Sequence, residues 1–394
     1  MRVTTGLEAL LGSKLNLLKG KKLGIVCNQA TVDPSFTHLL FRLLPGHTAG
    51  EFNIHAVFGP QHGIWGHTQD NMIEWEGYTD PLTGLKFHSL YGEHREPTPE
   101  MLEGIELLVV DLPDIGARYY TFLWTLALCM KACEPLGIPI LVLDRPNPIG
   151  GTQVEGTMLD PALDSFVGLY PIPTRHGLTL GEAALYLQKT QFPRASLSVV
   201  PCENWRRQDY ADAAGTPWVM PSPNMPTLDT AVVYPGMCLI EGTQLSEGRG
   251  TTRPFEMFGA SYLDGFQLAK ALNGLSLPGI IFRPITFLPT FHKFAGEVCE
   301  GCQMHVTNRI EFEPVLAAIA VIQEVIRQAG SRFEWRPAPY EYVWDKEPID
   351  ILAGQMWVRP AIENLMPISE VRERMRAEVG GFHNDPSVEL LYTA

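Results

Sequence analysis

Residues 241–256 read EGTQLSEGRGTTRPFE, a stretch that holds three glutamates, two arginines and three glycines. Carboxyl groups can transfer protons, and guanidinium groups can bind an anionic ligand through two parallel hydrogen bonds. Glycines let the backbone approach a ligand closely. The same composition is typical of a solvated surface loop whose charges pair weakly with one another, so the stretch alone leaves both interpretations open.

Further acidic residues that could act with this stretch lie elsewhere in the chain. Asp114 and Asp144 follow apolar segments, and Glu74 and Glu76 lie in the segment HTQDNMIEWEG. Two carboxyl groups that face one another across a cleft are typical of glycoside hydrolysis. One donates a proton to the leaving oxygen, and the other stabilises the transition state or activates water.

Some of the acids have structural alternatives. Asp144 precedes Arg145, and the two side chains could form a buried ion pair. Glu182 lies three residues after Thr179 in TLGE, which is the spacing of a capping box at the start of a helix.

Basic side chains that could bind an anionic substrate are also present. Arg118 in DIGARYYTF, Arg175 in PTRHGL, and Arg249 and Arg253 in the stretch 241–256 lie near glycine, proline or aromatic residues. A planar guanidinium suits a substrate carboxylate at such a place. The alternative is that each arginine ties its own loop to a neighbouring acid.

Histidines and cysteines are the remaining residues that could transfer protons or bind a metal. His62 and His176 each precede a glycine, and an imidazole there could move a proton near neutral pH or donate to a backbone carbonyl. No HExxH occurs, and the CxxC of Cys299 and Cys302 has no second pair at ligand spacing. The sequence therefore predicts no metal site.

The elements that would position these residues follow an alternating pattern. Short apolar runs predict strands over residues 22–28, 52–60, 107–113, 139–146 and 196–203. Between them, FTHLLFRLL, YYTFLWTLALCMKACEPLG and LTLGEAALYLQKTQ predict helices that pack on the sheet faces. We expect an α/β fold with a mostly parallel, doubly wound sheet.

Polar residues follow the carboxyl ends of four of these strands. They are Asn28 and Gln29, Gln61 and His62, Asp114, and Asp144 with the residues after it. Open α/β sheets bind ligands at that edge, so the pattern indicates a site there. No GxGxxG opens the first helix and no GxxxxGK[ST] occurs, so we expect no nucleotide cofactor.

A proline-rich passage, residues 216–236, follows the last strand and is predicted to be neither a regular helix nor a central strand. We place a domain boundary there, with an amino-terminal domain of residues 1–228 and a smaller α+β domain of residues 229–394. The second domain is expected to hold helices near 261–272, over 314–330 and after Ser369, and strands near 279–288 and 302–308. The stretch 241–256 then lies just past the junction, where a cleft would form.

Composition restricts the partners and the compartment. The formal net charge is -14, which argues against a nucleic-acid or anionic-membrane surface. No apolar run approaches the ~20 residues of a membrane span, and the start of the chain lacks the pattern of a secretory signal. The seven cysteines are an odd number, which fits a reduced protein, so we expect a cytoplasmic location.

Several long motifs occur in one order along nearly the whole chain. They are FGPQHGIWG, YTDPLTGLKFHSLYGEHREPTPEML, DLPDIGARYYTF, VLDRPNP, PIPTRHGLTLGE, PSPNMPT and EGTQLSEGRGTTRPFE. Together they resemble the NamZ-type exo-β-N-acetylmuramidases, glycoside hydrolase family 171, formerly a domain of unknown function. The resemblance implies a Rossmann-like domain, a smaller carboxy-terminal domain and an active site between them.

The resemblance also implies the activity. Characterised relatives remove N-acetylmuramic acid from the non-reducing end of peptidoglycan fragments, and the lactyl carboxylate of this sugar suits an arginine. The candidate catalytic residues are Glu241, Glu247, His176, Asp144 and Asp114. The candidate substrate-binding residues are Gln61, His62, Glu74, Arg118, Tyr119, Asn224, Arg249 and Arg253.

One position departs from the family pattern. Many relatives carry a glutamate where this chain has Gln61, and an amide cannot exchange a proton as a carboxyl group does. Glu74, Glu76 or His62 could take over that role. The alternatives to an exo-muramidase are therefore a non-catalytic muropeptide-binding protein and a hydrolase of another anionic glycoside.

Overall fold

The computed structural model describes residues 2–69 and 72–393. The strands that these residues form are β1 (Lys22–Val26), β2 (Asn53–Gly59), β3 (Tyr78–Thr79), β4 (Lys86–Ser89), β5 (Leu107–Val110), β6 (Ile140–Leu143), β7 (Glu155–Met158), β8 (Pro173–Arg175), β9 (Leu197–Val200), β10 (Met257–Ala260), β11 (Ile280–Phe287) and β12 (Cys299–Val306).

The α-helices are α1 (Gly6–Ala9), α2 (Leu39–Thr48), α3 (Pro99–Leu102), α4 (Phe122–Leu136), α5 (Leu180–Thr190), α6 (Ala211–Ala214), α7 (Leu228–Met237), α8 (Gly265–Gly274), α9 (Pro314–Ala329), α10 (Pro348–Ala353), α11 (Val358–Glu363) and α12 (Ile368–Val379). A π-helical turn covers Leu10–Lys14, and 3₁₀ turns cover Leu15–Leu18, Pro161–Leu163, Cys238–Gly242, Gly330–Arg332 and Phe382–Asn384.

A seven-stranded sheet forms the amino-terminal domain, in the order β3-β4-β2-β1-β5-β6-β9. All neighbours pair in parallel except β3 and β4. Every residue of β5 and β6 is buried, as expected of continuous apolar runs covered on both faces. The five predicted strands and the three predicted helices between them are confirmed, and so is the α/β class.

The carboxy-terminal domain is built on a smaller antiparallel sheet in the order β10-β12-β11. The predicted helices and strands correspond to α8, β11, β12, α9 and α12. Strand β10 was not predicted, because its four residues include Gly259 and give little pattern. It pairs closely with β12, where a Cβ on Gly301 would lie 1.9 Å from the Phe258 carbonyl oxygen.

The expectation that residues 216–236 hold no regular helix is wrong for the last part of that passage, which begins α7. Thr227 caps the helix by accepting a hydrogen bond from the Thr230 N–H, and Pro235 lies in its last turn. Gly236 lets α7 approach α9, since a Cβ there would lie 1.8 Å from the Pro314 carbonyl oxygen. Tertiary packing therefore outweighs the local cost of the proline. The boundary predicted between residues 228 and 229 falls in the first turn of α7.

The irregular part of the same passage, residues 216–227, lies over the carboxyl edge of the sheet. Asn28 Nδ2 donates to the Pro221 carbonyl at 2.9 Å, and Gln29 Nε2 donates to the Met220 carbonyl at 2.9 Å. The polar residues after β1 thus hold this passage in place. No helix within residues 2–69 and 72–393 has the length and apolar character needed to cross a membrane.

Candidate active site

A narrow pocket lies where the carboxyl edge of the sheet meets the carboxy-terminal domain. Its walls come from the loop after β2, the start of α4, residues 222–225, α7, the stretch 241–256 and residues 340–341. Five of the sequence-predicted substrate-binding residues line it, namely Gln61, His62, Tyr119, Asn224 and Arg249. Segments distant in sequence therefore converge on one site.

Gln61 and His62 contribute the wall that follows β2. Thr121 Oγ1 donates a hydrogen bond of 2.8 Å to Gln61 Oε1, which leaves the amide NH₂ group for a ligand. His62 has a positive φ of 71°, and its Nδ1 lies 2.7 Å from the Thr68 carbonyl oxygen. Both side chains are buried and held in fixed orientations.

Arg249 lies at the centre of the stretch 241–256. Its Nη2 donates to Glu241 Oε1 at 2.8 Å, its Nε lies 3.3 Å from Glu247 Oε1, and its guanidinium stacks on the Phe255 ring. Burial alone would lower the pKa of Arg249, but the two carboxylates outweigh burial and raise it. Nη1 has no hydrogen-bond partner among the described residues, so a charged donor is available to an anion.

Glu247 is a fully buried carboxylate that supports Arg249. Lys293 Nζ lies 2.9 Å from its Oε2, and His292 Nδ1 lies 3.2 Å from its Oε1. Burial would raise the pKa of Glu247, but Lys293, His292 and Arg249 together hold it well below its usual range. A carboxylate kept ionised in this way cannot act as a general acid near neutral pH.

Glu241 is also buried and engaged. It accepts hydrogen bonds from Arg249 and, through Oε2, from the Tyr340 hydroxyl at 2.8 Å. The interpretation of the stretch 241–256 as a solvated loop is wrong, because all of its residues up to Gly250 except Gln244 are buried. Its acids orient the arginine that reaches the pocket.

Glu341 lines the same pocket and was not singled out from the sequence. Tyr91 donates its hydroxyl to Glu341 Oε2 at 2.9 Å, and the residue is 4% exposed. Burial, the largest cause, and the charge of Glu241 raise the pKa of Glu341 to about 7. One signal in the sequence was available, a single acid between two tyrosines in PAPYEYV. Nothing in that pattern shows that the acid is buried.

Aromatic rings form part of the pocket wall. Tyr120 and Tyr234 lie with ring centroids 6.1 Å apart and at 89° to one another. Tyr119 donates its hydroxyl to the Pro235 carbonyl at 3.0 Å. Asn224 donates Nδ2 to the Gln69 carbonyl at 2.9 Å. These contacts fix the wall and leave ring surface for an apolar sugar face.

Arg118 does not line this pocket, contrary to its expected role in substrate binding. It is completely buried and donates to four backbone carbonyls, those of Thr157, Ile172, Leu352 and Ala353. Burial lowers its pKa to about 10. The guanidinium joins the hairpin of β7 and β8 to the end of α10, which is a structural role.

Asp144 also lies outside the pocket. It is buried and accepts from Thr179 Oγ1 at 2.7 Å, from the Gly181 N–H at 2.8 Å and from the Tyr392 hydroxyl at 2.5 Å. It thereby ties the start of α5 to the end of the chain. Burial raises its pKa to about 6.

The ion pair suggested between Asp144 and Arg145 does not form. Arg145 pairs instead with Asp111, through Nε to Oδ1 at 2.5 Å and Nη2 to Oδ2 at 2.9 Å. Successive side chains at a strand end point to opposite faces, which separates Asp144 from its neighbour. The capping box of Thr179 and Glu182 is confirmed.

Asp114 and His176 lie close together but away from the pocket walls. His176 Nε2 is 3.6 Å from Asp114 Oδ2, and that carboxylate also accepts from the Gly116 N–H at 2.7 Å. Both side chains are buried. Asp114 and His176 thus contact each other and do not join the candidate residues that line the pocket.

Glu74 and Arg253 are the most exposed of the candidates. The Glu74 carboxylate is 47% exposed and pairs with Arg95 at 3.1 Å. Arg253 is 44% exposed and pairs with Glu256 at 3.1 Å. Neither lines the pocket. Within the described residues, no group of three or more His, Cys, Asp or Glu side chains is placed to hold a metal ion.

A larger groove, between β7, the loop before α9 and α12, has a different character. Its charges pair within the protein, with Arg372 2.7 Å and Arg376 3.0 Å from the Glu313 carboxylate. Glu155 there accepts from the Leu316 N–H at the start of α9. The groove therefore offers less to a polar ligand than the pocket around Arg249.

Comparison with known proteins agrees with this architecture. Residues 23–229 match the family described as exo-beta-N-acetylmuramidase NamZ, N-terminal, and residues 232–392 match its C-terminal counterpart. The peptidoglycan beta-N-acetylmuramidase NamZ of Bacillus subtilis (strain 168) is 40% identical over 391 residues, covering 99% of this chain and 92% of that protein.

Two crystal structures of DUF1343 family proteins from Bacteroides fragilis NCTC 9343 are similar over 100% of this chain and 99% of theirs. Their TM-scores are 0.88 and 0.74, at 33% and 28% identity. Because both family matches lie in order and together span almost all of the sequence, the chain belongs to the NamZ exo-β-N-acetylmuramidase family.

Proposed function

We propose that this protein is an exo-β-N-acetylmuramidase that hydrolyses terminal, non-reducing β-N-acetylmuramyl residues of peptidoglycan fragments in cell-wall turnover. The observation that carries the proposal is the 40% identity to the Bacillus subtilis NamZ over 99% of the chain. The likeness includes both domains, whose junction forms the pocket.

The charge arrangement of the pocket supports a muramyl ligand. N-acetylmuramic acid differs from N-acetylglucosamine by a lactyl ether that carries a carboxylate. Arg249 offers Nη1 to such a group, while Glu241 and Glu247 keep the guanidinium charged and oriented. Binding of the lactyl carboxylate by this buried guanidinium would favour N-acetylmuramic acid over N-acetylglucosamine.

The neutral groups of the pocket suit the rest of the sugar. The amide NH₂ of Gln61 can donate to a hydroxyl or to the acetamido carbonyl. The rings of Tyr120 and Tyr234 can pack on the apolar face of the pyranose. Walls from several distant segments surround the site, which favours a chain end over the interior of a glycan.

A cytoplasmic location belongs to the same proposal. All seven cysteines are free thiols and are buried, which suits a reducing compartment. The substrate there would be an imported muropeptide fragment. Fractionation of cells that produce the tagged protein tests this, and recovery with the extracytoplasmic fraction would contradict it.

The activity is tested with purified protein, a chromogenic β-N-acetylmuramide and the disaccharide MurNAc-GlcNAc. We expect the protein to release free N-acetylmuramic acid, which mass spectrometry detects. The Bacillus subtilis enzyme assayed in parallel is the positive control. Tight binding of the disaccharide without product would instead support a non-catalytic sugar-binding protein, the alternative that Gln61 favours.

A further inference from the structure

We propose that Glu341 is the general acid of this pocket, donating its proton to the glycosidic oxygen as the terminal muramyl residue leaves. This inference rests on the proposed function and adds a catalytic residue to it. Among the described residues that line the pocket, Glu341 is the one carboxylic acid. It shares the pocket with the Gln61 amide and the Arg249 guanidinium.

The other acids near the pocket are committed elsewhere. Glu241 holds Arg249 and the Tyr340 hydroxyl, and Glu247 holds Lys293 and Arg249. Neither lines the pocket. The amide of Gln61, which also lines the pocket, has no acidic proton to give at neutral pH. Proton donation therefore falls to Glu341.

The environment of Glu341 raises its pKa, so that a substantial fraction of the carboxyl groups carry a proton near neutral pH. Burial is the largest cause that raises its pKa, and the negative charge of Glu241 adds to it. The Tyr91 hydroxyl and the cations Arg95 and Arg336 act in the opposite direction, which leaves the pKa at about 7. A catalytic acid is most effective when its pKa lies near the working pH.

Hydrogen bonding places the proton on one oxygen. Tyr91 donates its hydroxyl to Oε2 of Glu341 at 2.9 Å, so Oε2 acts as an acceptor. Oε1 has no hydrogen-bond partner within residues 2–69 and 72–393. We therefore assign the acidic proton to Oε1, the oxygen that does not accept from Tyr91.

The backbone around Glu341 is held in an uncommon conformation. Glu341 and Tyr342 have consecutive positive φ values of 44° and 66°. Non-glycine residues in that region are strained and gather at functional sites. The Arg95 guanidinium lies over the rings of Tyr91 and Tyr342, at 4.7 and 4.4 Å from their centroids, and holds the segment in place.

Cleavage begins with proton transfer from Glu341. The Oε1–H bond of Glu341 breaks as its proton bonds to the glycosidic oxygen. The bond from C1 to that oxygen breaks, and its electron pair leaves with the aglycone alcohol. Water then adds to C1, and the proton that it loses restores the Glu341 carboxyl. The net reaction consumes one water and yields N-acetylmuramic acid and the alcohol.

The test compares leaving groups. The dinitrophenolate that leaves a 2,4-dinitrophenyl β-N-acetylmuramide needs little protonation. The GlcNAc that leaves MurNAc-GlcNAc is a poorly acidic alcohol, and its departure needs a proton. For Glu341→Gln we expect a fall in kcat/KM of about 10²- to 10⁴-fold on the disaccharide and a much smaller fall on the dinitrophenyl substrate. For Glu341→Gln, the fall in kcat/KM on the disaccharide at alkaline pH, which reports loss of the acidic proton, should also disappear. Glu341→Asp, which keeps an acid, should retain that fall at alkaline pH.

The matched control is Glu103→Gln, which removes an exposed acid outside the pocket and should change kcat/KM on neither substrate. Equal losses on both substrates, or an unchanged fall at alkaline pH in Glu341→Gln, would overturn the assignment. Normal thermal unfolding of the variant separates these results from misfolding. A wild-type protein that cleaves neither substrate overturns the proposed function itself, whereas failure of the variant pattern with an active wild type overturns only the role of Glu341.

Discussion

Replacing Arg118 with methionine should destabilise the protein and leave substrate binding intact. The guanidinium is completely buried and donates four hydrogen bonds of 2.7–3.1 Å to backbone carbonyls. These carbonyls belong to the hairpin of β7 and β8 and to the end of α10. Arg118 therefore joins the two domains and does not contact the pocket.

The loss of stability depends on which of the four carbonyls keep another hydrogen-bond donor when Arg118 is replaced. The Thr157 and Ala353 carbonyls keep a threonine hydroxyl as a second donor, and the Ile172 carbonyl keeps a backbone N–H. Losing the hydrogen bond to each of these three carbonyls costs about 0.5–1.5 kcal/mol of stability, and leaving the Leu352 carbonyl unpaired costs about 1–3 kcal/mol. The expected total is about 5 kcal/mol. At roughly 2.1 cal/mol/K per residue over 394 residues, the Tm falls by about 6 °C.

The assay pairs thermal unfolding with steady-state kinetics on a muramyl substrate at 20 °C. Arg118→Met should keep kcat/KM within about twofold of the wild type while its Tm falls. Arg253→Met is the matched control, because Arg253 is 44% exposed and its single ion pair contributes ~0–1 kcal/mol. A large rise in KM for Arg118→Met with an unchanged Tm would refute the structural role.

Other substitutions test the charges around the site. Arg249→Lys keeps a cation for its acids but loses the guanidinium fork, so calorimetry should show about 10-fold weaker binding of N-acetylmuramic acid and unchanged binding of N-acetylglucosamine. The depressed pKa of Glu247 contributes stability that is present above its unfolded pKa, roughly 4.3, and lost as pH falls towards the folded pKa. Glu247→Gln should thus be less stable than wild type at pH 7 in urea unfolding, and the difference should shrink below about pH 4. Burial raises the pKa of Glu155 to about 8, so its stability contribution is lost as pH rises, and Glu155→Gln should raise the Tm more at pH 8 than at pH 5.

The sheet could be predicted because its information is local. The five predicted strands are short, apolar-rich runs of four to seven residues, such as LLVV in β5, and parallel strands place their carboxyl ends at one edge. The pocket residues Gln61, His62 and Asn224 lie after such strands or in the passage that covers that edge. The sequence pattern therefore predicts that these residues lie at the carboxyl edge of the sheet, but it does not predict which side chains they contact.

The partners of charged residues could not be predicted, because they come from distant segments. Arg118 stands beside tyrosines in a loop, as a ligand-binding arginine would, yet its acceptors lie up to 235 positions away. Arg145 pairs with Asp111, 34 positions away, rather than with its neighbour. Burial decides these outcomes, and it depends on the whole fold.

Glu341 shows the same limit for a catalytic assignment. Its hydrogen-bond donor, Tyr91, is 250 positions away, and burial by both domains changes its pKa more than any single neighbour. A sequence displays the carboxyl group but not the desolvation that raises its pKa. Sequence patterns therefore favour acids in a conspicuous polar stretch over an acid between two tyrosines.

Glu241 connects the opening stretch to that acid. Its Oε1 accepts from Arg249 and its Oε2 accepts from the hydroxyl of Tyr340, the residue before Glu341. Its charge orients the guanidinium for an anionic sugar and also raises the pKa of Glu341. One buried carboxylate thereby affects both the cation that we propose binds the substrate and the protonation of the group that we propose as the general acid. This coupling explains why the stretch 241–256 carries acids that do not themselves line the pocket.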